Sequence, residues 1–168
     1  MAKTFCIVGD SQSVFPGGVA ERELERLGHT VRRLSNTGKG PHDYVRTPKL
    51  WTAYTSLVRS TEPDGVLLVF GSNDAPNAHL EKSLQTMKGA VRPKVLLSGP
   101  PMYPDPEHQK YGAAIREVYM RVFGEDYIDS YPHTGVELSR APDKLHFTKA
   151  GAETWGVAMA AALVQRFA

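Results

Sequence analysis

Four short segments, far apart in the chain, carry side chains suited to attack on a carbonyl carbon. Gly9-Asp10-Ser11-Gln12-Ser13 presents a serine one residue into a turn. Ala141-Pro142-Asp143-Lys144-Leu145-His146-Phe147-Thr148 places an aspartate three residues before a histidine. That spacing lets the carboxylate meet one imidazole nitrogen and leaves the other free to take a serine proton. Phe70-Gly71-Ser72-Asn73-Asp74 adds a side-chain amide that can donate to a developing oxyanion, a contact whose loss typically costs about 10²–10³ in rate. Ser35-Asn36-Thr37-Gly38-Lys39-Gly40 offers a bare glycine N–H for the same purpose, from Gly38 or from its neighbour Gly40. Each segment also has a plainer reading. Gly-Asp-Ser is a capped turn, Gly71 to Asp74 an Asx-turn, the Gly38 segment a glycine-rich loop, and Asp-x-x-His a helix-entry hydrogen bond or half a metal site. Gly38-Lys39 is no phosphate loop, because it lacks the earlier glycine and the following Ser or Thr.

Other groups bear on what could bind. Asp10, Gln12, Lys39 and Tyr103 are the candidates for touching a substrate. Lys39, Arg46 and Lys49 follow the Gly38 segment and suit a polar or anionic leaving group, while the wider basic set with Arg32 and Arg33 also reads as a solvated face. Trp51, Tyr103 and Tyr111 are placed to stack on a sugar or to pack helices. His29, His42, His79, His108 and His133 read as surface histidines. No convincing ligand set for a metal accompanies Asp143 and His146, so neither metal nor organic cofactor is expected. The 20 basic and 18 acidic residues leave a formal charge of +2, too balanced to argue for nucleic acid. The lone Cys6 sits in an apolar run and reads as a structural thiol. No signal-peptide core and no membrane-spanning run is found, which predicts a cytoplasmic protein, with non-standard export or release by lysis in a virus particle left open.

Short β-rich runs alternate with longer helical patterns, which is what would carry these segments to one place. Thr4–Val8, Thr30–Leu34, Gly65–Phe70, Lys94–Ser98 and Tyr127–Asp129 read as strands. Val66-Leu67-Leu68-Val69-Phe70 lacks polar alternation, as a strand buried on both faces of a parallel sheet does. Helices are predicted over Glu21–Leu27, Pro48–Ser60, Ala78–Val91, Glu107–Phe123 and Thr148–Phe167, the last capped by Thr148. The alternation predicts a single domain over residues 1–168: a three-layer α/β/α sandwich, flavodoxin-like, with about five parallel strands. Ligands in such folds bind at the C-terminal ends of the strands, where the four segments fall.

Taken in order, the four segments resemble the SGNH (GDSL-type) hydrolases. Gly9-Asp10-Ser11 is similar to the family's nucleophile block, Gly38 to its glycine block, Gly71-Ser72-Asn73-Asp74 to its Gly-x-Asn-Asp block, and Asp143-Lys144-Leu145-His146 to its Asp-x-x-His block. The stretch Asp143 to Trp155, with Gly151, is especially like the C-terminal block. Gln12 departs from the family, which often has an apolar residue there. The resemblance implies a serine esterase without cofactor. In it Ser11 attacks, His146 is base and then acid, and Asp143 orients His146. The Ser11 amide, the Gly38 amide and the Asn73 side chain form the oxyanion hole. The compact chain suggests short acyl esters, especially acetyl esters on carbohydrate or cell-wall glycans. A lipid or thioester hydrolase on this fold, a non-catalytic carbohydrate-binding module such as a phage-tail part, and a flavodoxin-like nucleotide or flavin binder are the alternatives. The oligomeric state is open.

Overall fold

The computed structural model describes all residues from Met1 to Ala168. Five strands, β1 (Thr4–Gly9), β2 (Thr30–Ser35), β3 (Gly65–Val69), β4 (Lys94–Ser98) and β5 (Tyr127–Ile128), form one sheet in the order β2-β1-β3-β4-β5. Every pairing is parallel. The helices are α1 (Phe15–Arg26), α2 (Pro41–Arg46), α3 (Pro48–Thr61), α4 (Ala78–Gly89), α5 (Pro106–Phe123) and α6 (Glu153–Arg166). This is the expected three-layer α/β/α architecture.

Alternating side chains of the central strands feed two cores. Cys6, Val8, Val66, Leu68, Phe70, Val95 and Leu97 face one side, with Tyr44 of α2, Tyr54 and Val58 of α3, Leu84 of α4 and Tyr119 of α5. Phe5, Ile7, Leu67, Val69 and Leu96 face the other, under Leu24 of α1 and Trp155, Met159 and Leu163 of α6. All five residues of β3 are buried, which explains their unbroken apolar run. β2 pairs only with β1 and is largely exposed, as its more polar sequence predicts.

Two helices start well away from the predicted residues, and one helix is additional. α1 starts at Phe15 rather than Glu21, with Pro16 in its first turn, because packing overrides the poor helix propensity of Gly17 and Gly18. α2 was not predicted: six residues are too few for a periodicity to show. α6 starts at Glu153, not Thr148. The Thr148 hydroxyl instead accepts from Gly151 N–H at 3.1 Å inside a preceding turn, which is anchored by Thr148 N–H donating to Ser139 O at 3.2 Å.

The chain winds outward from β1 toward β2 on one side and toward β3 on the other. The crevice of a doubly wound sheet opens at such a reversal, outside the C-terminal strand ends. In this register Gly9 is opposite Val69, so the segments after β1 and β3 leave the sheet side by side. Glycine is required at position 9: a Cβ there would lie 1.9 Å from Val69 O.

Candidate active site

The residues after β1 turn at once into one turn of 3-10 helix, Ser11–Ser13, capped by Asp10, whose Oδ1 accepts from Gln12 N–H at 2.8 Å. Asp10 is fully buried. Its Oδ2 accepts from Gly71 N–H at 2.8 Å and from Asn73 Nδ2 at 2.7 Å. Asp10 thus ties the ends of β1 and β3 together. Both of its oxygens are engaged within the chain. An anionic carboxylate only accepts, so it fixes which way the Asn73 amide points and leaves the second N–H of Nδ2 free.

The opposite wall is the loop before α6. Asp143 Oδ1 accepts from Leu145 N–H at 2.9 Å and His146 N–H at 3.0 Å, which winds the loop around its carboxylate. Asp143 Oδ2 lies 2.6 Å from His146 Nδ1, and His146 Nε2 lies 2.7 Å from Ser11 Oγ. With Nδ1–H donated to Asp143, Nε2 is the acceptor for the Ser11 proton. That is the arrangement by which an imidazole deprotonates a serine. Arg140 holds this loop from behind. Its guanidinium donates to Met102 O at 2.6 Å, Thr134 O at 3.2 Å and Leu145 O at 3.3 Å, and its Cζ sits 4.0 Å from the Phe147 ring centroid.

Between these walls is a cleft of about 100 Å³, lined by Asp10, Ser11, Gln12, Gly71, Ser72, Asn73, Tyr103, His108, Leu145 and His146. Gln12 lines it as expected, with its Nε2 donating weakly to Leu145 O at 3.4 Å and its buried Oε1 unpartnered. Gly38 and Gly40 separate in their bonding. Gly40 N–H donates to the Asp43 carboxylate at 3.3 Å, at the start of α2. Gly38 adopts φ +74°, a left-handed conformation suited to glycine, and its exposed amide has no partner within the chain. Neither glycine lines the cleft, nor does the exposed Lys39.

The aromatic candidates fall apart as a sugar platform. Tyr103 is buried, lines the cleft and ties its hydroxyl to Ser72 Oγ at 3.0 Å. Trp51 packs against the core beside Tyr54. Tyr111 donates its hydroxyl to Asp74 O at 2.8 Å. His108, expected on the surface, lines the cleft, and its Nε2 lies 2.8 Å from Ser72 Oγ. Sequence reading missed His108, Ser72 and Arg140, whose contacts join segments far apart in the chain.

Two carboxylates are pushed in opposite directions. The hydrogen bond from His146 holds Asp143 down at about 2, so it stays anionic across the working pH range. Desolvation pushes Asp10 up to about 6, partly offset by the N–H groups of Gly71 and Gln12 and by Asn73. No group of three or more His, Cys, Asp or Glu side chains is placed to hold a metal. A larger hollow, about 700 Å³, lies at the other end of the sheet among Val58, Arg59, Glu62 and Arg92, and it holds no paired nucleophile and base. No helix is long and apolar enough to cross a membrane.

No family model matches the sequence, and no curated protein matches it at a significant level. Solved structures match over nearly the whole chain. A protein of Slackia heliotrinireducens, provisionally classed as an SGNH hydrolase, aligns with a TM-score of 0.76 at 14% identity, over 97% of this chain and 100% of its own. The aryl esterase of M. smegmatis aligns with a TM-score of 0.69 at 20% identity, over 98% and 99%. A carbohydrate acetylesterase of Sinorhizobium meliloti aligns with a TM-score of 0.70 at 16% identity, over 98% and 99%. The chain therefore has the α/β/α fold of the SGNH hydrolases.

Proposed function

We propose that this chain is an SGNH-type serine hydrolase of carboxylic esters, working through an acyl-enzyme. The observation that carries this reading is the unbroken contact from Asp143 Oδ2 through His146 to Ser11 Oγ, 2.6 Å and 2.7 Å long, at the C-terminal edge of the sheet. His146 Nε2 takes the Ser11 proton as Oγ attacks the ester carbonyl, and Asp143 stabilises the imidazolium. The oxyanion that forms is assigned to the Ser11 amide and the free N–H of Asn73 Nδ2, with the unpartnered Gly38 amide, outside the cleft lining, as the candidate third donor. His146 then gives its proton to the departing alcohol. Water, deprotonated by His146 in turn, releases the acid and restores Ser11.

Short acyl groups, acetyl above all, are the substrates this site supports best. The cleft holds about 100 Å³, and apart from Leu145 and the Tyr103 ring its lining is polar. A carbohydrate acetylesterase is among the proteins sharing the fold, which supports an acetylated glycan as the natural ester.

The test is hydrolysis of 4-nitrophenyl acetate by the wild type and by Ser11→Ala, with fluorophosphonate labelling followed by peptide mapping. Turnover that Ser11→Ala abolishes, and a label on Ser11, are expected. Equal rates in the two proteins, or a label on another residue, would sink the proposal.

A further inference from the structure

The cleft beside Ser11 contains a second hydroxyl–imidazole contact that the proposed reaction does not use. Ser72 Oγ lies 2.8 Å from His108 Nε2, and Tyr103 OH donates to Ser72 Oγ at 3.0 Å. The three groups are held firmly. The His108 ring meets Tyr103 edge-on at 4.3 Å, and its backbone N–H donates to the Asp105 carboxylate at 2.7 Å. Tyr103 N–H donates to Gln109 Oε1 at 2.6 Å. The Tyr103 ring fills the space over Gly112 of α5, where a Cβ would come within 2.8 Å of it. Burial raises the Tyr103 phenol far above its ordinary range, so Tyr103 keeps its proton and goes on donating it to Ser72 Oγ at any working pH.

Counting donors shows what the trio lacks. If His108 Nε2 accepts the Ser72 proton, Nδ1–H is left over, and the His108 ring has no other side-chain partner. If Nε2–H donates instead, the Ser72 O–H is left over. Either tautomer leaves one unused donor at a polar cleft. The departing alcohol must take its proton from His146. Ser72, Tyr103 and His108 line the same cleft as Ser11 and Asn73, which makes them the groups available to meet the acyl part. A space of about 100 Å³ is roughly three water volumes, enough for a few non-hydrogen atoms.

We propose that Ser72, His108 and Tyr103 form an acyl-recognition subsite that selects small acyl groups carrying an oxygen acceptor over alkyl groups of the same size. This inference rests on the ester-hydrolase reading. An oxygen two or three atoms from the carbonyl accepts the spare proton. An alkyl carbon in the same place would bury that donor unpaired, which should lower its relative turnover roughly 10- to 100-fold.

The experiment compares 4-nitrophenyl methoxyacetate with 4-nitrophenyl butyrate, whose acyl groups differ by one oxygen in place of one methylene. Each kcat/KM is divided by the hydroxide rate of that ester, which removes its intrinsic reactivity, and the ratio of the two is internal to one protein sample. In the wild type the normalised ratio is expected to favour methoxyacetate by roughly 10-fold or more. In the triple variant Ser72→Ala/Tyr103→Phe/His108→Leu, which leaves no freed hydroxyl behind, it is expected to fall to about one. A wild-type ratio near one overturns the subsite, and so does a triple variant that keeps the wild-type ratio. Loss of the ester-hydrolase reading shows separately, as turnover of both esters that Ser11→Ala does not remove.

Discussion

Replacing Asp10 by Asn tests how a buried carboxylate supports the site. Three donors converge on Asp10, from Gln12 N–H, Gly71 N–H and Asn73 Nδ2. Asparagine keeps one acceptor oxygen and sets an NH2 group against at least one of those donors. If the oxygen stays with Gln12, the Asn73 amide loses its anchor, and kcat for an acetate ester is expected to fall about 10²–10³-fold, the usual loss for one oxyanion donor. A second effect has a separate readout. Burial raises Asp10 from an ordinary 3.8 to about 6, a difference of about two pKa units, or about 3 kcal/mol. Below about pH 4 both folded and unfolded chains hold the proton, and the group contributes nothing. As pH rises from about 4 to about 6 the unfolded chain releases it first, so the folded state loses stability, and above about 6 the whole penalty is present. Asp10→Asn removes this dependence while its hydrogen-bond cost stays constant with pH. For a chain of this length about 3 kcal/mol corresponds to roughly 6–12 °C in Tm. The Tm of Asp10→Asn minus that of the wild type, measured by calorimetry at about pH 4 and about pH 7.5, should therefore grow by most of that amount. A difference that stays flat within about 2 °C would refute the argument that Asp10 is carried as a desolvated anion.

Two further substitutions probe the loop that carries His146. Asp143→Asn should leave the fold intact and lower kcat severely, by about 10⁴ where this change has been made in a comparable triad, because the amide no longer holds Nδ1–H; circular dichroism and steady-state rates separate the two effects. Because Asp143 is held at about 2, its anion is lost only as pH falls through that value, so an acid loss of activity centred above about pH 4 does not come from protonating Asp143. Arg140→Ala takes the side-chain donor from the carbonyls of Met102 and Thr134, leaves Leu145 O with only the weak bond from Gln12, and uncovers Phe147. A Tm fall of at least roughly 6 °C is expected, from about 1 kcal/mol or more for each of the three carbonyls at about 2–4 °C per kcal/mol, together with at least a 10-fold loss in kcat as His146 drifts from Ser11. Arg140→Lys should restore little of it, since one ammonium cannot reach three carbonyls in a fork; unchanged Tm and kcat in Arg140→Ala would show that Asp143 alone positions the loop.

The groups proposed to act on substrate were legible because each stands in a short contiguous block at the end of a strong element. Ser11 follows the apolar β1, Asn73 follows the fully buried β3, and Asp143 and His146 are three residues apart and hydrogen-bonded. The parallel sheet was equally legible, since a run such as Val66 to Val69 has no polar face to offer water. What stayed hidden depends on partners that sequence does not mark. Arg140 binds three backbone carbonyls, and every residue has one. Ser72 and His108 are 36 positions apart and meet only when the proline-rich loop after β4 folds over the end of β3. Thr148 looked like a helix cap because its hydroxyl suits one, yet the hydroxyl serves Gly151 inside a turn. Asp10 joins the two kinds. It is visible in the sequence as a neighbour of the nucleophile, but the sequence does not show that two of its three partners are backbone N–H groups. Its burial follows from Gly9 lying against Val69 and from Gly71 offering a bare N–H, so the two glycines that read as turn punctuation are what bring a carboxylate under the site. A serine at the tip of β1 and an amide after β3 would face each other in any parallel sheet with this register. The buried charge between them is what turns that proximity into a fixed direction for the Asn73 N–H.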